Sequence, residues 1–584
     1  MGFLKTRWTD GVDKNNPLPE YPRPQLERAQ WMSLNGIYEY AIKSAGCEWA
    51  EEFDGEIVVP FAVESMLSGV QKPLMPNQRL WYKKIFTIPD EMKNKHIILN
   101  FAAVDWQCKV FVNKALAGTH SGGYCSFSFD ITNLLTDGEN ELIVCVYDPT
   151  EKGWQQRGKQ VLNIHGFWYT ATSGIWQSVW LEAVNECHIK KLRMIPDIDE
   201  KLLKIKTFAT DENCEVKVTV YDNGESISEN IISLDGEIKF DKIKLWSPEE
   251  PFLYDLKLEL LKDGKTVDTV KSYVGMRKYS IEKDKYGVPR FFLNNEPYFQ
   301  KGLLDQGYWS DGGMTPPCDD AMIYDIQTMK RLGFNMLRKH IKVELDRWYY
   351  HCDRLGMLVW QDMVSGGEYI GTLVAGVLPL LHIKVNDSKY KTFKRTEKKW
   401  RDDYKRELNE MLNQLFNHTS ICCWVPFNEG WGQFDSAKIA TSVKNFDPTR
   451  LVDHASGWYD HGAGDFNSMH KYVLPVRMPK TDNRIFALTE FGGYSRIVSD
   501  HTWDERKSFG YMMYKYKDKL TAAYKKLHEK QIIPLIDRGL SVTIYTQVND
   551  VENEVNGILT YDREHIKMDE DVIIEINKKL DFVK

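Results

Sequence analysis

The chain has no surplus of positive charge. Its 76 Lys and Arg residues face 83 Asp and Glu residues, which gives a formal net charge of −7 at neutral pH. Binding to phosphate backbones or to anionic lipid headgroups needs clustered cations that replace counterions. The composition therefore argues against nucleic acids and membrane surfaces as partners.

Long apolar runs and metal-type cysteine spacings are also missing. The longest apolar stretch runs from Ile370 to Ile383, which is too short to cross a bilayer and contains Pro379. The first residues have no apolar core of a signal peptide. The ten cysteines include no C-x-x-C pair and no zinc spacing, so we interpret them as reduced thiols. We expect a cytoplasmic protein that uses no cofactor and no metal.

The 584 residues are too many for one hydrophobic core, and the pattern of apolar residues changes twice along them. Short β-rich runs separated by turn signals such as Asn35-Gly36 and Asp137-Gly138 extend to about residue 185 and indicate an antiparallel sandwich. A second set of strands, of the size of an immunoglobulin-like domain, ends near residue 277. We therefore expect three domains, at 1–185, 186–277 and 278–584.

After about residue 290, helical patterns alternate with short apolar strands. Between Asp319 and Leu332 the apolar residues recur at helical spacing, and Gly333 ends the helix. Alternation of this kind predicts a parallel sheet with right-handed crossovers, and about 300 residues of it are sufficient for a closed (β/α)8 barrel. The predicted strands are 334–337, 357–360, 421–425, 451–453, 485–488 and 541–545.

The polar residues that follow these strands are the candidate active site, because a barrel of this type carries its site at the C-terminal ends of its strands. Two carboxylates, one arginine and several hydrogen-bonding side chains around one mouth suit the hydrolysis of an acetal. The candidates are Arg338, His340, Asp362, Asn428, Glu429, His454, His470, Tyr472, Glu490 and Gln547.

Glycoside hydrolysis needs two carboxyl groups in different states. One stays protonated and donates its proton to the leaving oxygen, while the other stays ionised and attacks the anomeric carbon. We expect Arg338 to hold the nucleophile ionised, because a neighbouring guanidinium favours the charged form of a carboxylate. We expect Trp424, Phe427 and Trp431 to surround the other carboxyl group and keep it protonated, and we also assign Trp431 to the substrate site.

With these residues in view, the chain resembles glycoside hydrolase family 2, the family of β-galactosidases, β-glucuronidases and β-mannosidases, over nearly its whole length. Residues 31–36, 80–86 and 171–182 are similar to the sugar-binding jelly roll of this family. Leu245-Trp246-Ser247-Pro248 is similar to its immunoglobulin-like domain. The resemblance implies a jelly roll, an immunoglobulin-like sandwich and a C-terminal (β/α)8 barrel.

Three barrel motifs carry the catalytic part of the resemblance. Asn335-Met336-Leu337-Arg338 resembles the second strand, whose arginine contacts the nucleophile. Phe427-Asn428-Glu429 resembles the fourth strand, where the glutamate is the acid/base and the asparagine binds the sugar 2-hydroxyl. Leu488-Thr489-Glu490 resembles the seventh strand, which carries the nucleophile. The resemblance implies exo action with retention of configuration.

Departures from the family pattern bear on the sugar. Tyr545-Thr546-Gln547 stands where many members place a tryptophan against the bound sugar, and the Asn-x-Lys pair by which β-glucuronidases hold the uronate is absent from Asn556-Gly557-Ile558. We expect β-galactosidase-like activity on a small-molecule or oligosaccharide glycoside. β-Mannosidase, α-L-arabinopyranosidase and β-glucuronidase activities stay open as alternatives.

Two functions of other classes also stay open. The first is a catalytically inactive carbohydrate-binding protein on the same scaffold, which the presence of both Glu429 and Glu490 argues against. The second is a metal-assisted hydrolase that uses the histidines and aspartates, which activity in a metal-free preparation would exclude. The sequence leaves the oligomeric state open, a homo-oligomer included.

Overall fold

The computed structural model describes residues 4–381, 383–479 and 482–582. Two β-sandwiches are followed by a parallel eight-stranded barrel, which confirms the predicted fold class and the order of its parts. No helix within these ranges is long and apolar enough to span a membrane.

The N-terminal sandwich packs a four-stranded sheet against a six-stranded sheet. Alternate side chains of both sheets meet in one core, in which Leu80, Tyr82 and Leu99 are fully buried. In spatial order, the smaller sheet contains Trp31–Ser33, Val179–Val184, His96–Phe101 and Phe127–Asp130. The larger sheet contains Gly55–Val59, Gly36–Ser44, Gln78–Thr87, Glu139–Tyr147, Gln107–Val112 and Ala115–Ser121.

The second sandwich is smaller and has a separate core. Val216, Val218 and Val220 alternate along one strand and are fully buried, as the two-residue period of a half-buried strand requires. Its three-stranded sheet contains Ile189–Asp197, Leu202–Ala209 and Asp235–Lys239. Its four-stranded sheet contains Glu225–Ser233, Glu215–Asp222, Tyr254–Lys262 and Lys265–Val274.

The barrel is formed by eight parallel strands in chain order. Its fifth and sixth strands share no ladder, but the N–H of Asp465 donates to the carbonyl of Val452 at 2.7 Å and joins the two edges. From first to eighth, the strands are Gln300–Asp305, Met336–Lys339, Leu358–Asp362, Ile421–Val425, Leu451–Val452, Phe466–Lys471, Ile485–Gly492 and Leu540–Thr546.

Helices cover the outside of the barrel. The predicted helix after the first strand is observed at Asp319–Arg331, where Asp319 and Asp320 lie in the first turn and Lys330 and Arg331 in the last, as the helix dipole favours. The other α-helices are Asp346–Leu355, Leu378–Leu380, Lys398–Leu415, Ser436–Phe446, Lys517–Leu527, Ile533–Ile536 and Glu570–Lys579. Two π-helical turns lie at Leu373–Val377 and His528–Ile532.

Three barrel strands extend further than the sequence predicts. Arg338, Asp362 and Glu490 lie inside their strands, whereas the prediction placed them directly after the apolar runs. Apolar periodicity ends where the side chains become polar, but the backbone hydrogen bonds of a ladder do not depend on side-chain polarity. The side chains of Arg338, Asp362 and Glu490 are therefore held by the rigid sheet, whereas Glu429 lies in the turn after the fourth strand.

Asp353 joins the second sandwich to the barrel. Its buried carboxylate accepts from the Tyr273 hydroxyl at 2.7 Å, from the Ser420 N–H at 2.6 Å and contacts His418 Nδ1 at 3.1 Å. Tyr273 lies in the last strand of the second sandwich, while Ser420 directly precedes the fourth barrel strand. We keep 1–185, 186–277 and 278–584 as the proposed domain bounds.

Candidate active site

Arg338 lies at the centre of a buried polar network at the C-terminal end of the barrel. Its guanidinium, fully buried, donates to both carboxylate oxygens of Asp362 at 2.9 and 3.1 Å. It also donates to Glu490 Oε1 at 3.2 Å and to Asn428 Oδ1 at 2.8 Å. The planar fork of arginine can bridge several acceptors in this way, and it fixes the side chains of three strands relative to one another.

Asp362 connects Arg338 to His340. Its Oδ2 atom, which accepts from Arg338, also lies 2.8 Å from His340 Nδ1. Asp362 and His340 are both almost completely buried. The carboxylate of Asp362 therefore orients a cation and an imidazole at the barrel mouth, and both of its oxygens are occupied by these contacts.

Glu490 is held as a carboxylate. Burial opposes its ionisation, but His470 and Arg338, together with the hydroxyl of Tyr472, outweigh burial and lower the pKa of Glu490 to about 2. The Tyr472 hydroxyl donates to Oε2 of Glu490, and Arg338 donates to Oε1. Each oxygen of this carboxylate has its own donor, and its side chain is only 4% exposed.

Glu429 stands beside Glu490 and is more open to solvent. One oxygen of each carboxylate and a ring nitrogen of His470 all lie within 4.8 Å of one another. His470 Nδ1 is 2.8 Å from Glu429 Oε1 and 3.5 Å from Glu490 Oε2. The side chain of Glu429 is 25% exposed and that of Glu490 4%, so the two glutamates lie side by side in unequal environments.

The backbone of Glu429 adopts an uncommon conformation. Its φ of 50° lies in the left-handed region, which residues with a side chain seldom adopt. The N–H of Glu429 donates to the carbonyl of Ser456 at 3.0 Å, and this bond holds the turn. Unusual backbone angles persist where the surrounding structure fixes them, and functional sites are a common place for them.

The apolar surroundings that the sequence suggested for Glu429 are formed differently. The indole of Trp424 faces the helices, where its N–H donates to Asp447 at 2.9 Å. Phe427 stacks on Tyr404 at 5.1 Å between ring centroids. The expectation that these two rings surround Glu429 is therefore corrected, because the strand and its following turn direct them into the core, and His470 contacts the carboxylate instead.

Two predicted site residues lie outside the network around the glutamates. His454 Nε2 accepts from the N–H of His461 at 3.1 Å and lies 3.2 Å from Asp460, so this histidine holds a loop. Gln547 accepts from Gln306 and donates to Asn556, both at 2.8 Å, which occupies both ends of its amide. The structure brings together Arg338, His340, Asp362, Asn428, Glu429, His470, Tyr472 and Glu490 but not these two, and Trp431 lies apart from them against Trp168.

The sequence did not point to several residues that support the site. Ser456 lies 3.1 Å from His470 Nε2 and donates to Thr489 at 2.9 Å. The ring of Tyr511 stacks on that of Tyr472 at 3.8 Å. Tyr511 follows no barrel strand, so the rule that found Tyr472 could not find it.

The N-terminal sandwich also reaches the mouth of the barrel. Its segment 149–172, here called the rim loop, places Trp168 against Trp431 with ring centroids 4.5 Å apart. The N–H of Gly158 donates to Ser365 after the third strand, and the N–H of Thr170 donates to Glu552 after the eighth strand, both at 3.0 Å. Trp431 therefore belongs to a rim that two domains form together.

Comparison with known proteins agrees with this arrangement. Three sequence models of glycosyl hydrolases family 2 match the chain. The model of the sugar binding domain matches residues 32–184, the family 2 model matches 187–277, and the model of the TIM barrel domain matches 290–531. The chain belongs to glycosyl hydrolase family 2. The predicted family is thereby confirmed.

Two relatives within family 2 have different names. A β-galactosidase of Streptococcus thermophilus is 28% identical over 407 residues, which cover 68% of this chain and 37% of the relative. A putative β-glucuronidase of Formosa agariphila is 25% identical over 464 residues, which cover 71% of this chain and 51% of the relative. The chain thus spans about half or less of the length of these relatives.

Solved structures show the same fold over almost the whole chain. The β-D-glucuronidase for Dictyoglomus thermophilum has a TM-score of 0.75 at 18% identity and covers 96% of this chain and 99% of its own. A putative β-galactosidase from Bacteroides fragilis has a TM-score of 0.70 at 20% identity, with 94% and 85% covered. These similarities extend the family-2 assignment to the three-dimensional fold.

Proposed function

We propose that this family-2 chain is a retaining, exo-acting β-glycosidase. The observation that carries the proposal is the pair Glu429 and Glu490, whose nearest oxygens lie within 4.8 Å of each other in one cavity. Retaining glycosidases hold their two carboxyl groups about 5 to 5.5 Å apart, whereas inverting enzymes leave room for a water at about 6.5 to 9.5 Å. The separation favours double displacement.

In the first step, Glu490 attacks the anomeric carbon while Glu429 gives its proton to the leaving oxygen. The glycosidic C–O bond breaks, and an ester forms between the anomeric carbon and Glu490. In the second step, Glu429 takes a proton from water, whose oxygen attacks the same carbon and releases Glu490. The low pKa of Glu490 supports its role as nucleophile, and the solvent exposure of Glu429 supports its role in proton exchange.

The surrounding side chains position these two groups. Arg338 and Tyr472 bind different oxygens of Glu490 and hold the carboxylate for attack. His470 contacts Glu429 at 2.8 Å and is fixed on its other side by Ser456. Asn428 is oriented by Arg338 and is the residue that we assign to the sugar 2-hydroxyl.

We propose a β-galactoside as the first candidate substrate, and the name of the relative from Streptococcus thermophilus supports this choice. The relative from Formosa agariphila supports a β-glucuronide as the second candidate. The ten cysteines are free thiols, which supports the proposed cytoplasmic location. The proposed partner is a small-molecule or oligosaccharide glycoside, while nucleic acids and membranes are not proposed as partners.

A panel of nitrophenyl glycosides tests the reaction and the sugar together. It includes the β-galactoside, β-mannoside, β-glucuronide, β-glucoside and α-L-arabinopyranoside. Proton NMR of the first-formed product should show the anomer of the substrate before mutarotation. An inverted first product would contradict double displacement, and a folded protein that binds these glycosides without cleaving any of them would support the inactive carbohydrate-binding alternative.

A further inference from the structure

The rim loop brings a cation from the N-terminal sandwich to the catalytic cavity. Lys159 follows Gly158, whose N–H donates to Ser365 at 3.0 Å and whose missing side chain would meet the carbonyl of Ile341 at 3.1 Å. Ile341 directly follows His340. The backbone at Lys159 is therefore fixed against the loops that leave the second and third barrel strands.

The side chain of Lys159 lies among aromatic rings and not beside a carboxylate. Its ammonium is 5.7 Å from the ring centroid of Phe167 and 5.7 Å from that of Tyr169. In the part of the chain that the structure describes, no carboxylate lies within 4.0 Å of this ammonium. Lys339 and Lys342, by contrast, both donate to Glu344.

Contacts between aromatic rings connect this position to the nucleophile. Phe167 packs against Phe509 at 5.7 Å, Phe509 against Tyr511 at 5.6 Å, and Tyr511 against Tyr472, which binds Glu490. The charge of Lys159 also acts on His340. Burial and, after it, this charge lower the pKa of His340 well below its usual value. Lys159 thus lies near His340 and near the chain of aromatic rings that leads to Tyr472.

We propose that Lys159 binds a carboxylate on the terminal sugar, so that the preferred substrate is a uronide. Arg338 is already paired with Asp362 and Glu490, whereas Lys159 is a cation of the rim loop with no carboxylate within 4.0 Å among the described residues. An ammonium attracts an anion more strongly than it attracts a neutral hydroxyl, and partial burial such as that of Lys159 strengthens the attraction. The inference rests on the proposed function, and it names the charge of the sugar.

The family's β-glucuronidases hold the uronate through an Asn-x-Lys pair, which is absent from Asn556-Gly557-Ile558 in this chain. In this protein the cation would instead come from another domain. The charge does not decide between galacturonic and glucuronic configuration at the 4-hydroxyl. Both acidic sugars therefore belong in the test.

Matched pairs of substrates isolate the carboxylate. Nitrophenyl β-galacturonide and β-galactoside differ only at carbon 6, as do the β-glucuronide and the β-glucoside. We expect the wild-type kcat/KM to be higher for the acid of at least one pair. Lys159→Gln should lower this preference by about 10- to 100-fold, the range for a hydrogen bond between charged groups.

Two further variants separate charge from structure. Lys159→Arg keeps a cation and should retain most of the preference for the acid. Lys152→Gln removes an exposed lysine of the same loop, one that pairs with Glu151 at 3.1 Å, and should leave both kinetic constants unchanged. Added salt should raise KM for the uronide more than KM for the neutral sugar.

The outcomes distinguish this inference from the proposed function. Turnover of neutral glycosides with no preference for either acid, or an unchanged preference in Lys159→Gln, would overturn the role of Lys159 and leave the reaction intact. If no glycoside is hydrolysed, the proposed function fails. The binding role of Lys159 can then still be tested separately by the shift in melting temperature that free sugars cause. Free galacturonate or glucuronate should stabilise the wild type more than galactose or glucose does, and Lys159→Gln should remove the difference; equal shifts would contradict it.

Discussion

Replacing Tyr472 by phenylalanine removes one hydrogen bond to Glu490 and little else. The Tyr472 hydroxyl donates to Oε2 of Glu490, while its ring stacks on Tyr511 at 3.8 Å and would stay in place. After the substitution, His470 Nδ1 remains 3.5 Å from Oε2. The variant therefore changes how one oxygen of the nucleophile is held.

The expected loss follows from the strength of that bond. A hydrogen bond to a charged group contributes about 1.5–3 kcal/mol, and about 1.4 kcal/mol corresponds to a factor of ten in rate. We expect Tyr472→Phe to lower kcat/KM by about 10- to 100-fold at neutral pH. Glu490 should stay ionised there, because His470 and Arg338 still lower its pKa after the Tyr472 hydroxyl is removed.

The same bond has a pH-dependent effect on stability. The pKa of Glu490 is lower in the folded protein than its ordinary value of 4.5, so its ionisation stabilises the fold above pH 4.5 and this contribution is lost as the pH falls toward about 2. The difference in unfolding free energy between wild type and Tyr472→Phe should be largest near neutral pH and shrink below pH 4.5. Urea unfolding at several pH values measures it.

Tyr524→Phe is the matched control. Tyr524 is fully buried, and within the described residues its hydroxyl has no hydrogen-bond partner, so the loss of this hydroxyl should leave kcat/KM unchanged. If Tyr472→Phe also kept the wild-type kcat/KM and the wild-type pH dependence of the unfolding free energy, the bond to Glu490 would have no part in positioning the nucleophile.

Three further predictions test the network, the scaffold and the metal-assisted alternative. Arg338→Ala leaves Asp362 and Glu490 buried without their cation, so kcat should fall at least about 100-fold and the unfolding free energy by about 3–5 kcal/mol; urea unfolding at wild-type stability would contradict it. Asp353→Ala should reduce the unfolding free energy by about 1–3 kcal/mol and leave kcat of the folded enzyme unchanged, since this residue joins two domains away from the glutamates. Dialysis against a chelator should leave kcat unchanged, whereas a loss restored by added divalent metal would favour the metal-assisted alternative.

The sequence was sufficient to predict the domain order and most of the side chains that the structure brings together in the candidate site. Apolar periodicity located six of the eight barrel strands but not Gln300–Asp305 or Phe466–Lys471. The polar residues chosen from the sequence included Arg338, Glu429, His470 and Glu490, which the structure brings together. This works because parallel strands of a barrel deliver their C-terminal ends to one face. Finding the polar residues at the strand ends therefore needs only the local sequence pattern.

The errors came from contacts that local pattern does not encode. His454 follows the fifth barrel strand and His470 lies near the end of the sixth, yet the imidazole of His454 bonds to the loop at His461. Phe427 precedes the acid/base candidate but packs on Tyr404 of a helix. The contact of Trp168 with Trp431 and the role proposed for Lys159 depend on how two domains dock, and no periodicity within either domain shows them.

The stereochemistry of azide products tests the roles of the two glutamates most directly. With an activated aryl glycoside, Glu429→Ala should still form the ester with Glu490, and azide should then give a glycosyl azide of retained configuration, because azide needs no general base. Glu490→Ala should give the inverted azide, which enters from the face that the carboxylate has left. NMR of the two azide products gives their anomeric configurations and so shows which glutamate has which role. Exchanged configurations would mean that the roles are reversed, and folded variants that azide does not rescue would contradict double displacement at this site.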